Sequence, residues 1–283
     1  MSPEHLFNGL VLGVLYVLIA LGISVIFGMM NFVNFAHGAF YALGAYLAYS
    51  IVAAGGSFWL ALLAAPLAVG ALGALVEMTL LRSLHRIGQS VQLLLTFGLA
   101  LVFQELTILV WGPIGKPVSV PAALRGSFDL GFTVYPRYRI FVVLFTAALT
   151  VGLWLCLERT RLGAVIRAGT ERADMVSALG INIDRVFTAM LGAGCALAAV
   201  AGVLAAPLVG VNPSMGMAII LLAFVVLVVG GLSSFAGAVV GGLLVGLVQA
   251  VSAVYVPEGS ELMIFVFMAA VLVLRPRGLM GQA

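Results

Sequence analysis

The sequence predicts an all-α polytopic membrane protein of about eight to ten transmembrane helices with broken or re-entrant segments, and three observations carry that prediction. Charged residues are only 8% of the 283, and the mean hydropathy is +1.25. A soluble domain carries roughly 25% charged side chains, so lipid must cover most of this surface. Apolar segments long enough to cross a bilayer recur along the whole chain. Nine of the 23 charged side chains are gathered in one island: Glu158, Arg159, Arg161, Arg167, Glu171, Arg172, Asp174, Asp184 and Arg185.

Taken in order, the spans fall at about 6–29, 36–54, 58–81, 91–111, 138–157, 186–210, 217–232, 237–255 and 262–274. The start, MSPEHLFNGL, has no positive n-region and no small-residue cleavage site follows the first apolar run, so the first helix is expected to stay. The seventh span is short, and its glycine-rich end reads as a break in a longer element or a re-entrant turn. With nine spans, Arg82, Arg86, the five arginines from Arg159 to Arg185, Arg275 and Arg277 fall on one side. Lys116, Arg125, Arg137 and Arg139 fall on the other. The richer side is expected to be cytoplasmic, with the N-terminus outside and the C-terminus inside. The loop at about 112–137, holding Pro113, Pro117, Pro121 and Pro136, is then external, and residues 1–283 form a single transmembrane domain. The +3 formal charge does not point to nucleic acid, because the basic residues are spread over several loops. Cys156 and Cys195 read as small buried hydrophobes. Four-residue glycine spacings (Gly9 and Gly13, Gly237 and Gly241, Gly242 and Gly246) suit close helix packing within the chain.

In the island, Leu162, Val165, Ile166 and Gly169 recur at helical spacing and predict a helix continuing from the membrane end. Thr170 reads as the N-cap of a second short helix, with Glu171 and Asp174 near its first turn. Met175, Ala178 and Leu179 give that helix an apolar side, and Gly180 is placed to end it in the left-handed conformation. The expected product is a helical knob of about ten residues with an apolar edge and a charged rim, suited to docking a soluble partner; a plain solvated connection is the alternative.

The only lysine, Lys116, precedes a proline, so no G-x-x-x-x-G-K-[ST] phosphate loop exists and nucleotide energy must come from another subunit. No G-x-S-x-G, H-E-x-x-H or metal spacing is present, which argues against an enzyme. Ionisable groups at depth, which ion-coupled carriers need, are few. Glu77 is expected to reach the interface near Arg82. Glu105, beside Gln104, is deeper and is expected to face protein or a water path. Gln249 reads as packing glue. The run Asn31-Phe32-Val33-Asn34-Phe35-Ala36-His37-Gly38 fits either an interrupted helix lining a cavity or a simple turn.

Four blocks in order carry a resemblance: GLVLGVLYVLIALGISVIFGMMNFVNFAHGAFYALGAY from Gly9, RTRLGAVIRAG…ALGIN from Arg159, VVGGLSSFAGAVVGG from Val228, and LRPRGLMG from Leu274. Together they resemble the branched-chain amino acid ABC importer permeases of the LivH type. One departure is Ser233, where the family usually has glycine. The resemblance implies the ABC importer permease fold and a bacterial inner-membrane subunit moving branched-chain amino acids or related small amino acids, amides or carboxylates. It also implies four partner subunits: a LivM-type permease, two cytoplasmic ATPases that bind ATP and Mg, and a periplasmic substrate-binding protein. This chain would hold no cofactor of its own. On that reading Asn31, Asn34, Phe35 and His37 lie near the substrate pathway, and Arg161, Gly163, Arg167, Glu171, Met175, Leu179 and Gly180 couple to the ATPase. An ion-coupled secondary transporter and a channel-like facilitator are the rival readings.

Overall fold

A computed structural model describes residues 3–85, 87–129 and 134–281. Arg86, counted above among the positive residues, lies outside them. Helices appear at all nine expected spans: α1 Pro3–Met30, α2 His37–Ala53, α3 Phe58–Val76, α5 Gln89–Trp111, α6 Arg137–Arg159, α8 Ile183–Val209, α9 Met215–Gly230, α10 Phe235–Tyr255 and α11 Ser260–Leu274. α3 continues through a π turn, Glu77–Leu81, into the one-turn α4, Arg82–Leu84. The island is α7, Arg161–Ala178. Among the described residues, seven helices are long and apolar enough to cross a membrane. Helix starts follow local side chains: Ser57, Asn182 and Ser234 each accept a hydrogen bond from the backbone N–H three residues on.

α11, at 15 residues, is lengthened at its start by a 3-10 turn, Pro257–Gly259, whereas α2 and α9 are short, 17 and 16 residues. At 1.5 Å per residue they reach about 25 Å, less than the ~30 Å hydrocarbon layer. Each begins inside the bundle after an irregular segment, residues 31–36 and 210–214. The glycine-rich end of α9 is therefore not the break. It is a tight turn into α10, with Gly231 and Ser233 both at positive φ (108° and 63°), and the break lies at the other end of α9. Ser233 holds the left-handed conformation that glycine adopts without strain.

The two halves of the chain repeat one plan with opposite direction. α1–α2–α3–α5 and α8–α9–α10–α11 both run long helix, irregular segment, short helix, then two further spans. In each half the long helix packs on the third helix of the other half through glycine: Gly13 on Gly246, and Gly192 on Gly70. A Cβ on Gly169 of α7 would touch both Met29, at the end of α1, and Ile183, at the start of α8. The two long helices thus enter the island end in opposite senses, an inverted repeat.

That geometry also sorts the charges. Arg82 reaches Thr188 at the start of α8. The tail after Arg275 and Arg277 folds onto the end of α9, where Leu279 and Met280 N–H donate to the Val229 and Gly230 carbonyls. At the opposite end, Lys116 pairs with Val211, and Arg139 donates to Asn8. The 112–137 loop there carries a feature the sequence reading did not anticipate, a small antiparallel hairpin of β1 Ser127–Asp129 and β2 Val134–Pro136.

Candidate functional site

The segment before α2 turns out to be an interrupted helix. Asn31, at φ 53°, donates its N–H to the Phe27 carbonyl and closes α1 at an exposed position. The chain then turns back into the bundle. Asn34 Oδ1 accepts from Ala36 N–H at 3.0 Å, its carbonyl accepts from His37 N–H at 3.1 Å, and Phe35 N–H donates to Thr96 Oγ1 of α5 at 3.3 Å. His37 is fully buried, and a Cβ on Gly22 would lie 2.8 Å from its ring. Gly22 is eight residues from the end of α1, so α2 starts about 12 Å inside that end. The buried His37 ring lies against the backbone of Ile19 and Gly22, and among the described residues Asn34 Nδ2 has no hydrogen-bond partner. A buried group left so costs about 1–3 kcal/mol.

The start of α9 meets the start of α2. A Cβ on Gly216 would lie 2.7 Å from the Gly38 carbonyl oxygen, so the backbones touch. Facing this contact, α5 presents Ala100, Phe103, Gln104 and Thr107 at helical spacing, and Phe35, Pro213 and Met217 complete the wall. The enclosed space is only about 10 Å³, a constriction with room for about one water. Of the four residues expected near a pathway, Phe35 lines this constriction. Asn34 and His37 are buried behind it, and Asn31 sits away from it at the end of α1. Thr96, Thr107, Pro213 and Met217 were missed. The stripe 100, 103, 104, 107 was the available signal, and polar groups on it mark the inward face.

Glu105 is exposed on the outer face of α5, six residues from Trp111. That depth is about 9 Å into the span, where lipid does not accommodate a carboxylate cheaply. Gln249 accepts a hydrogen bond from Tyr16, the packing role expected of it. Glu77 differs from expectation. It does pair with Arg82, at 3.2 Å, but it is fully buried instead of reaching the interface. The π turn aims its carboxylate between helices, where Oε2 accepts from Arg82 Nη2 and from Thr188 Oγ1 at 2.5 Å. His85 sits against this pair, and burial holds its imidazole below the usual range despite Glu77.

The island is two helical pieces, as expected, but they break at Arg172 and not at Thr170. α7 is an 18-residue helix kinked at Arg172 (φ −149°, ψ 84°). It does not continue α6, because Thr160 is extended and caps it by accepting from Gly163 N–H at 3.2 Å. Thr170 is no N-cap; inside the helix it donates to the Ile166 carbonyl. Leu162 points outward, and the inward positions are Gly163, Gly169 and Val176. Gly163 lets α7 fold directly onto the Leu157 backbone, and Arg167 clasps the Leu157 carbonyl and Glu158. Gly180 has φ +84°, the predicted left-handed termination. Arg161, Arg167, Glu171, Met175 and Leu179 are all exposed, the last two at 59% and 80%. Among the described residues no three His, Cys, Asp or Glu side chains are grouped to hold a metal.

The family described as "Branched-chain amino acid transport system / permease component" matches residues 5–273. The chain belongs to this family. The high-affinity branched-chain amino acid transport system permease protein LivH of Salmonella typhimurium is 32% identical over 99% of this chain and 95% of its own length. BraD of Pseudomonas aeruginosa is 34% identical with the same coverage. A probable LivH of Methanocaldococcus jannaschii is 28% identical over 94% of this chain and 89% of its own. No solved structure matches. The protein is a multi-pass inner-membrane permease component of an ABC transport system, a transport subunit and not an enzyme.

Proposed function

We propose that this permease moves branched-chain amino acids inward as one half of a permease pair, with a LivM-type partner, two ATPases binding ATP and Mg at the α7 end, and a periplasmic binding protein at the other. The meeting of two broken helices carries the reading. The positive ends of α2 and α9 are directed into the bundle beside a polar stripe of α5, an arrangement suited to a carboxylate passing through weakly. The Gly38–Gly216 contact is then the closed point of the path. Glu105 fits a face of α5 turned toward the partner permease or the water path, not lipid.

Coupling runs through α7. Its exposed Met175 and Leu179, with Arg161, dock in the ATPase groove, Arg167 and Glu171 couple from the side of α7 that faces the bundle, and Gly163 and Gly180 fix its two ends. Motion of α7 reaches the end of α1 and the start of α8 through Gly169. The end of α1 leads directly into Asn31–His37, hence to the closed point. The α7 end is cytoplasmic, in keeping with the arginine count. The test is reconstitution of the complex in proteoliposomes: leucine uptake should require ATP and the binding protein. Accumulation by this chain alone, or uptake driven by a proton gradient without ATP, would overturn the proposal.

A further inference from the structure

A second cavity, about 390 Å³, lies between α7 and the bundle, away from the closed point. That volume is in the range of small-molecule clefts, about 300–1,000 Å³. One wall is apolar, made by Val25, Met190 and Phe235. Another is charged: Arg167 and Glu158 lie 3.6 Å apart, and Glu171 has no ion pair or hydrogen bond among the described residues. Ser24 and Ser233 line the same space, and Ser24 is itself buried to 5% exposure.

We propose that this cavity binds a free aliphatic amino acid from the α7 side, and that occupancy pins α7 to the bundle and slows the transporter. An ammonium, a carboxylate and a compact apolar side chain are the three groups the walls ask for. Glu171 takes the ammonium; Arg167 takes the carboxylate with help from the serine hydroxyls; the apolar wall takes the side chain. A purely apolar molecule would leave Glu171 without a partner, and a small polar one would leave the apolar wall unfilled. The regulatory consequence follows from which elements meet there. Arg167 and Glu171 belong to α7, whereas Ser24, Val25, Met190 and Phe235 belong to α1, α8 and α10. A ligand held by both sides favours the state in which they are close, by as much as it prefers that state. This inference rests on the substrate reading above, since the ligand is the transported product.

The experiment uses the whole complex in proteoliposomes with the ATPases facing outward and loaded binding protein in the lumen. Leucine added outside should depress ATP hydrolysis and transport severalfold, and glycine should not. Val25→Phe and Ser24→Leu, which fill the cavity, should restore the rate in the presence of outside leucine. Unchanged wild-type hydrolysis with leucine at its solubility limit overturns the inference whatever the variants do. Inhibition that both variants retain overturns it too, by placing leucine elsewhere. A complex that moves no leucine at all removes the substrate reading and this inference together, an outcome distinct from the other two.

Discussion

Replacing Gly216 by alanine is the sharpest probe of the closed point. The new Cβ would lie 2.7 Å from the Gly38 carbonyl oxygen and 3.0 Å from its carbon, where ordinary contact begins at 3.4 Å. Both neighbouring atoms are backbone at the start of a helix, so no side chain can swing aside. The two helix starts must part by roughly 0.7 Å, and overpacking of this kind costs about 1–3 kcal/mol. If α2 and α9 separate when the path opens, that cost falls on the closed state alone. It then shifts the closed–open balance by about 5- to 150-fold. The assay is leucine uptake and ATP hydrolysis by the reconstituted complex. Hydrolysis should become less dependent on the binding protein, and uptake per ATP should fall severalfold. Gly98→Ala and Gly152→Ala are the controls, because a Cβ at either position meets nothing within 4 Å. Gly216→Ala behaving like those controls in both assays would refute the claim that this contact is the gate.

Other consequences are equally direct. Gly163→Val drives a side chain into the Leu157 backbone, and Gly180→Val strains a φ of +84°; each should abolish co-purification of the ATPase while the permease still inserts, and normal transport would count against α7 as the coupling element. Glu77→Leu removes the carboxylate that Arg82 and Thr188 share, leaving Arg82 the Thr188 hydroxyl and Thr188 the Asp184 carbonyl, at a cost of about 1–3 kcal/mol read as a lower unfolding midpoint in detergent; an unchanged midpoint would refute the pairing. Because burial lowers the His85 pKa, the folded chain binds fewer protons there than the unfolded chain below the ordinary value of 6.5. This contribution to stability is therefore present above 6.5 and lost as pH falls through the lowered value, and His85→Asn should flatten that part of the stability–pH curve. A cysteine at Glu105 should react with a water-soluble maleimide or cross-link to the partner permease, whereas one at Leu144, exposed on α6, should do neither; equal labelling at both sites would place Glu105 in lipid.

The chain's composition alone determined that it lives in lipid, because 8% charged residues cannot solvate a surface of this size. Apolar run length placed nine helices to within a few residues, and the island and its glycine stop were readable from charge and capping chemistry. The polar run Asn31–Gly38 left the break before α2 open between an interrupted helix and a turn, and no local signal marked the break before α9 as lying inside the bundle. The expected span, 36–54, matches α2 in length but gives no depth. Only packing reveals that His37 lies level with Gly22. The buried position of Glu77 depended on a π turn that no local signal marks, and Leu162 was misplaced because α7 folds back on α6 through Gly163. The inverted repeat was hidden for a related reason. Its two halves share helix order and glycine contacts, and these depend on which backbones touch between Gly13 and Gly246 and between Gly70 and Gly192, a relation absent from any local pattern.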